Sequence, residues 1–234
     1  LSIAQGLICS GLAKRVLLLN ADALTTVIHP EDRGLVPLHG DGAVATLLDA
    51  GDTPGIGLVF SRLGTDGTGA KHLCIPASGA RLPRSEETKL PLTEDNGVVR
   101  TKEHLWMNGP AIFHFSIYKV PEVVQGALAA MGIGMDAVDL VILHQANKMM
   151  IDQIYKALGV APEKRFCHME KLGNMSGASS PMVLAEAWRQ GRIQPGSLTL
   201  VIAFGVGLSW GLSAIRWPDP LPSPVTASVD YETV

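Results

Sequence analysis

Cysteine is scarce in this 234-residue chain, and what little there is does not pair. Cys9, Cys74 and Cys167 are odd in number and show no C-x-x-C spacing. That argues against a disulfide framework or a zinc site and suits a reducing compartment such as the cytoplasm. Charge is also thin, at 18% of residues with a formal net charge of −3. A strongly basic face for nucleic acid is therefore not expected. Gly, Pro or charge interrupts every apolar run before it reaches the length of a membrane span. A basic flank and a small-residue cleavage site are missing from the first residues, so these do not read as a signal peptide. What is plentiful is apolar residue, 47% of the chain, enough for a sizeable core.

The chain opens at Leu1 in what reads as mid-helix. Leu1, Ile3, Ala4, Leu7 and Ile8 fall at helical spacing, and Gly11 can end the turn. A region preceding Leu1 is the simpler expectation. Arg15 to Asn20 then reads as a buried strand, and Gly40-Asp41-Gly42 leads into a second apolar run, Ala43 to Leu48. Residues 63–109 are rich in Gly, Pro, Thr and charge, and read as an insert with little regular structure. Beyond them helix and strand alternate. A helix is expected over Pro121–Met131, a strand over Leu140–Leu143, and a helix capped by Asn147 with Met150, Ile151, Ile154, Tyr155 and Leu158 on one face. Another helix opens at Ser180-Pro181, followed by strands over Ser197–Phe204 and Leu212–Trp217. This alternation implies an α/β layered fold. A Pro-rich tail, 218–234, is expected to run extended outside the core.

Three polar features interrupt the apolar pattern. His144-Gln145-Ala146-Asn147 sits where a strand ends and a helix begins. Gly173-Asn174-Met175-Ser176-Gly177-Ala178-Ser179-Ser180 leads into the next helix. Ligands gather at such strand ends and helix starts. An imidazole can move a proton near neutral pH, and an Asn amide can donate to a carbonyl oxygen. The residues alone leave two readings open: a reactive pair, or a satisfied core histidine and a capping asparagine. The third feature, Phe204-Gly205-Val206-Gly207, is a tight turn whose backbone N–H groups could form an oxyanion hole, or a plain turn between antiparallel strands. Gly207-Leu208-Ser209-Trp210-Gly211 matches the G-x-S-x-G elbow of serine hydrolases. The strand expected after it leaves no place for the helix that an elbow requires.

Taken in order, H-Q-A-N, G-N-x-S-x-A-S and F-G-x-G-x-x-W-G resemble the C-terminal half of β-ketoacyl synthase III, a condensing-enzyme family of the thiolase superfamily. Asp32-Arg33-Gly34, Gly40 to Ala43 and Met107-Asn108-Gly109 extend the likeness. The resemblance implies a duplicated, five-layer αβαβα thiolase-like fold. Residues 1–62 would be the remainder of its first half, 63–109 an insert, and 110–217 the second half. It implies decarboxylative Claisen condensation of an acyl-CoA with a malonyl thioester carried by acyl carrier protein (ACP) or CoA, with no permanent cofactor and no metal. His144 and Asn174 would bind the malonyl thioester carbonyl, and the N–H of Val206 would be an oxyanion donor. Arg33, Asn147, Gly205 and Gly207 would line the substrate and CoA site, and a homodimer would be the working unit.

Several departures bear on these expectations. The family's nucleophilic cysteine would precede Leu1, and Cys9, Cys74 and Cys167 are not its replacements. A CoA-thioester-binding subunit that lacks the nucleophile is therefore the alternative. Pro110, His114, Met149 and Ala157 thin the contacts expected for pantetheine and for an acidic carrier protein.

Overall fold

The computed structural model describes residues 1–51 and 53–222. Its elements run α1 (Ser2–Cys9), β1 (Arg15–Asp22), β2 (Gly42–Asp49), β3 (Gly57–Thr65), β4 (Leu73–Cys74), β5 (Leu92–Thr93), β6 (Val99–Arg100), β7 (Trp106–Met107) and α2 (Gly109–Met131). They continue with β8 (Leu140–Leu143), α3 (Lys148–Ala157), β9 (Arg165–Phe166), α4 (Met169–Leu172), α5 (Ser179–Arg189), β10 (Leu198–Gly205) and β11 (Ser209–Arg216).

A mixed five-stranded sheet, in the order β3-β11-β10-β8-β9, forms the centre. β8 runs parallel to β10 and β9, whereas β11 is antiparallel to β10 and β3. Alternation along the strands gives each face its own core. Val141, Leu143, Leu200, Ile202, Leu212 and Ala214 pack with α2 and α3. Leu140, Ile142 and Ile215 pack with Val183 and Ala187 of α5 and with Trp217. On this second side, α1 ties to β3 through Ser2 Oγ and Ser61 Oγ (2.6 Å) and through Gln5 Nε2, which donates to Leu58 O (2.7 Å). Both α1 and α5 also pack on an antiparallel ribbon of β1 and β2. The described residues thus supply four layers, α–β–α–β, of a thiolase-like fold.

Some elements depart from the sequence reading. β1 is half-buried instead of buried. Its only strand partner among the described residues is β2, so alternate residues face outward, with Leu17 59%, Leu19 67% and Leu47 62% exposed. α2 begins twelve residues before Pro121 and runs through it. Its N-cap is Asn108, whose Oδ1 accepts from Ala111 N (3.1 Å), and Pro110 occupies the first turn, where a missing N–H is tolerated. Gly132, at φ 67°, closes the helix with the left-handed turn that a side chain would strain. β3 hydrogen-bonds along β11, so residues 57–62 sit in the sheet of the C-terminal strands. Of the Pro-rich tail, residues 223–234 lie outside the described residues. Leu221 packs against the core around Trp217.

The 63–109 segment is poor in regular structure, yet it is pinned. Arg100 and Asp32 are both buried, and Arg100 Nε donates to Asp32 Oδ2 at 2.6 Å. Asp32 Oδ1 also accepts from Gly34 N (2.9 Å) and Leu35 N (3.0 Å), which shapes the Asp32-Arg33-Gly34 turn.

The start of α5 holds two buried serines with opposite roles. Ser179 Oγ accepts from Met175 N at 2.8 Å, whereas Ser180 Oγ has no hydrogen-bond partner among the described residues. Burying a hydroxyl without a partner is unfavourable, and stranding a buried N–H is equally so. Ser180→Ala should therefore raise stability by about 1 kcal/mol, and Ser179→Ala should lower it by about 1–3 kcal/mol. Urea unfolding midpoints of the two variants check both signs.

Candidate active site

The site forms at the carboxyl ends of the parallel strands β8 and β10. β8 ends at Leu143, and His144 continues the pairing, its N–H donating to Ile202 O (2.8 Å). The His144 ring meets the Phe204 ring edge to face at 5.5 Å. The next residue points the other way. Gln145 is fully buried, donates to Leu143 O (2.7 Å) and accepts from His168 N (3.1 Å), which bolts the strand end to the 167–168 segment. Asn147 caps α3, with Oδ1 accepting from Met150 N (2.8 Å). Of the two open readings, capping is thus what the Asn147 oxygen does. His144, by contrast, is no satisfied core histidine. Its ring nitrogens make no hydrogen bond among the described residues, and the side chain keeps some exposure.

Burial first, and the neighbouring His39 imidazole second, pull the His144 pKa down from 6.5 to about 4. The ring is therefore neutral at physiological pH and has one N–H to donate. A stability consequence follows. Between about pH 6.5 and 4 the unfolded chain binds the proton that the folded chain refuses. The stabilising contribution is complete above 6.5 and is lost as the pH falls toward 4. At pH 4.5 the loss should reach ~2–3 kcal/mol, and His144→Gln should remove that part of the acid sensitivity. Chemical denaturation of both proteins at pH 7 and 4.5 measures it.

Asn174 arrives from the loop between α4 and α5. That loop is laid against residues 38–40 by backbone hydrogen bonds: Asn174 N donates to Leu38 O (2.8 Å), and Gly40 N donates to Asn174 O (3.0 Å). Gly40 permits this approach, since a Cβ there would stand 2.7 Å from Leu172 O. Asp41, beside it, accepts from Thr25 N (2.9 Å) and Thr25 Oγ1 (2.6 Å), and these bonds hold its carboxyl below the usual carboxylate range. The Gly-Asp-Gly stretch thus forms a seat for the Asn174 loop. The Asn174 amide oxygen accepts from Ser176 N (3.0 Å) and lies 3.5 Å from Ser179 Oγ. This leaves its NH2 group to point elsewhere, and 3.5 Å away stands His39 Nε2.

His39 escaped the sequence reading. It precedes a stretch that looked structural, and nothing in a linear chain places residue 39 beside residue 174. A histidine directly before Gly-Asp-Gly was the available signal.

The remaining expected residues flank this centre. The turn after β10 is clamped to the chain after β3 by two backbone bonds, Asp66 N to Leu208 O (2.7 Å) and Leu208 N to Asp66 O (2.8 Å). Val206 is 61% exposed in that turn, and Gly207 takes φ 140°. Gly205 pairs with Ser209 at the strand ends. Arg33 is exposed beside buried Asp32. Ser209 begins strand β11, with Oγ 2.7 Å from Thr65 Oγ1, so the strand–serine–helix elbow of a hydrolase is not formed.

None of the cysteines reaches the centre as a nucleophile. Cys9 is exposed at the last residue of α1, the wrong end of a helix for a thiolate. Cys167 donates to Gln145 Oε1 (3.3 Å), and burial pushes its thiol up. Cys74 pairs across the β4–β7 ladder with Trp106. Among the described residues, no group of three or more His, Cys, Asp or Glu could hold a metal ion, and no helix is long and apolar enough to cross a membrane. A depression of about 530 Å³ lined by Val59, Phe60, Met131, Leu198 and Arg216 lies at the opposite end of the sheet from His144.

Comparison with known proteins supplies relatives for this arrangement. Residues 1–67 match the family model for 3-oxoacyl-[acyl-carrier-protein (ACP)] synthase III, and residues 128–217 match the model for its C-terminal part. A β-ketoacyl-[acyl-carrier-protein] synthase III of Rhodopirellula baltica is 37% identical over 227 residues, covering 90% of this chain and 63% of that protein. A crystal structure of a 3-oxoacyl-(acyl-carrier-protein) synthase III superposes with a TM-score of 0.90 at 35% identity, over 92% of this chain and 64% of that one. The priming β-ketosynthase of the R1128 polyketide biosynthetic pathway superposes with a TM-score of 0.77 at 32% identity, over 96% and 62%. The chain therefore spans less than two thirds of the length of the relatives it matches.

Proposed function

The chain belongs to the 3-oxoacyl-[acyl-carrier-protein] synthase III family, and on that premise we propose that it serves a decarboxylative Claisen condensation between an acyl-CoA and a malonyl thioester of ACP or CoA. The observation that supports this reading best is the pairing of a neutral, uncommitted imidazole with an amide whose oxygen is already engaged. His144 then offers one N–H donor and Asn174 its NH2 group, with the Asn174 oxygen turned away to Ser176 N. Two such donors suit a thioester carbonyl on which negative charge grows as CO2 departs and the enolate forms.

In this scheme a cysteine thiolate, which the resemblance places before Leu1, attacks the acyl-CoA carbonyl and releases the CoA thiol. The N–H of Val206 and that of the cysteine hold the oxyanion. The malonyl thioester then binds under His144 and Asn174 and loses CO2. The enolate carbon attacks the acyl-cysteine, and the thiolate leaves as the β-ketoacyl thioester forms. Arg33 would meet the CoA nucleotide phosphates, and the free NH2 of Asn147 the pantetheine arm. Gly205 and Gly207 would let the turn approach the substrate closely. A homodimer in the cytoplasm is the proposed working form. His114 and Met149 leave the carrier-protein surface less basic, which makes a CoA-linked malonyl donor a real competitor to ACP.

The positions of Cys9, Cys74 and Cys167 favour a second reading, a subunit that binds CoA thioesters without forming an acyl-enzyme. Release of labelled CO2 from carboxyl-labelled malonyl-CoA, followed beside β-ketoacyl product, separates the readings. Both products support the condensing enzyme. CO2 alone supports a malonyl-activating chain whose nucleophile comes from elsewhere. Binding with neither product supports the non-catalytic subunit.

A further inference from the structure

We propose that His39 is a positioning residue for Asn174, holding its amide so that one N–H faces the substrate carbonyl. This rests on the functional reading above and adds to it a residue that the reading does not use. His39 Nδ1 lies 2.8 Å from Leu35 O, a carbonyl that can only accept, so Nδ1 carries the proton. In the neutral ring Nε2 is then an acceptor, and it faces Asn174 Nδ2 at 3.5 Å. At its other end the Asn174 amide receives Ser176 N and the Ser179 hydroxyl. A chain of donors and acceptors therefore runs from Leu35 O through His39 and Asn174 to Ser176, all pointing the same way. It allows one flip state of the amide and occupies one of its two N–H groups. The second N–H remains for substrate.

The backbone enforces the same arrangement. His39 and Asn174 sit across a parallel bridge, and Gly40, the residue that lets the two segments meet, follows His39 directly.

The test uses the full protein with malonyl-CoA as the probe and three variants, His39→Phe, His39→Leu and His39→Gln. Phe and Leu remove the acceptor, whereas the Gln amide oxygen reaches the place of Nε2. The first two should lose roughly 10- to 100-fold in kcat for CO2 release with KM little changed, because the misaligned donor matters most as charge develops. Gln should recover most of that loss. The side-chain amide signal of Asn174 in nitrogen-15 NMR, identified by its disappearance in Asn174→Ala, should shift in the Phe and Leu variants and return in Gln. Unchanged kcat together with an unmoved amide signal in Phe or Leu overturns the proposal. If even the unaltered protein releases no CO2, the functional reading falls by itself. The amide signal then decides whether His39 holds Asn174: a shift upholds that contact, and no shift ends it.

Discussion

Replacing His144 by Ala is expected to slow CO2 release from malonyl-CoA by about 100- to 1000-fold, and Asn174→Ala should do the same, in line with the loss of one preorganised donor to a developing oxyanion. The two changes should not multiply. The donors act on one oxygen, so once either is gone the other is less well placed, and the double variant should resemble the worse single one. Neither change should unfold the protein. The His144 ring nitrogens bond to no described residue, and the backbone bonds that seat Asn174, to Leu38 and Gly40, do not involve its side chain. Asn174→Ala does release Ser176 N, so a modest loss of stability accompanies it. Steady-state CO2 release at neutral pH, with circular dichroism to confirm folding, reads both effects. Normal turnover in both variants would remove His144 and Asn174 from the mechanism.

The second large effect concerns stability. Arg100→Met leaves the fully buried Asp32 carboxylate without its ion partner and should cost about 3–5 kcal/mol. For a chain of this size that is a drop of roughly 6–20 °C in Tm. Lys would not substitute well, because the guanidinium also reaches Glu94 Oε1 (2.9 Å) and lies over the Trp106 ring. Adding Asp32→Asn to Arg100→Met should recover part of the loss. The amide removes the stranded charge, and its oxygen can still accept from Gly34 N and Leu35 N. Differential scanning calorimetry of the single and double variants gives the comparison. If Arg100→Met melts with the unaltered protein, the pair contributes nothing, and the 63–109 segment is held by its other contacts, such as the bond from Leu105 N to Val27 O (2.8 Å). Because Asp32 shapes the turn that carries Arg33, the same variants should also weaken CoA binding, should Arg33 meet the nucleotide as proposed.

Much of this protein was legible in its sequence because its signals are local. The strand over Leu140–Leu143, the cap at Asn147, the stop at Gly132 and the β10–β11 hairpin depend on alternation, capping oxygens and left-handed glycines, all contained within a few residues. So does the rejection of Ser209 as a nucleophile, which needed only the strand that follows it. His144 and Asn174 were legible because they lie where a strand or loop meets a helix, in motifs with a recognisable order. Where local rules misjudged, a distant partner had decided. α2 runs through Pro121 because seven of its residues, from Ile112 to Leu128, are buried. That packing outweighs the hydrogen bond a proline forfeits. Leu17 and Leu19 read as buried because apolar residues alternate along β1, but burial also requires a layer on the outer face.

By itself, then, the sequence determined the element types, the family and the two residues proposed to handle the malonyl carbonyl, since each is written in short-range pattern. Only the tertiary structure decided that His39 meets Asn174 and that Arg100 neutralises Asp32. Those outcomes depend on residues 68 and 135 positions apart along the chain being brought within hydrogen-bonding distance. Contacts of that kind arise from the packing of layers, and no periodicity in the linear chain records them.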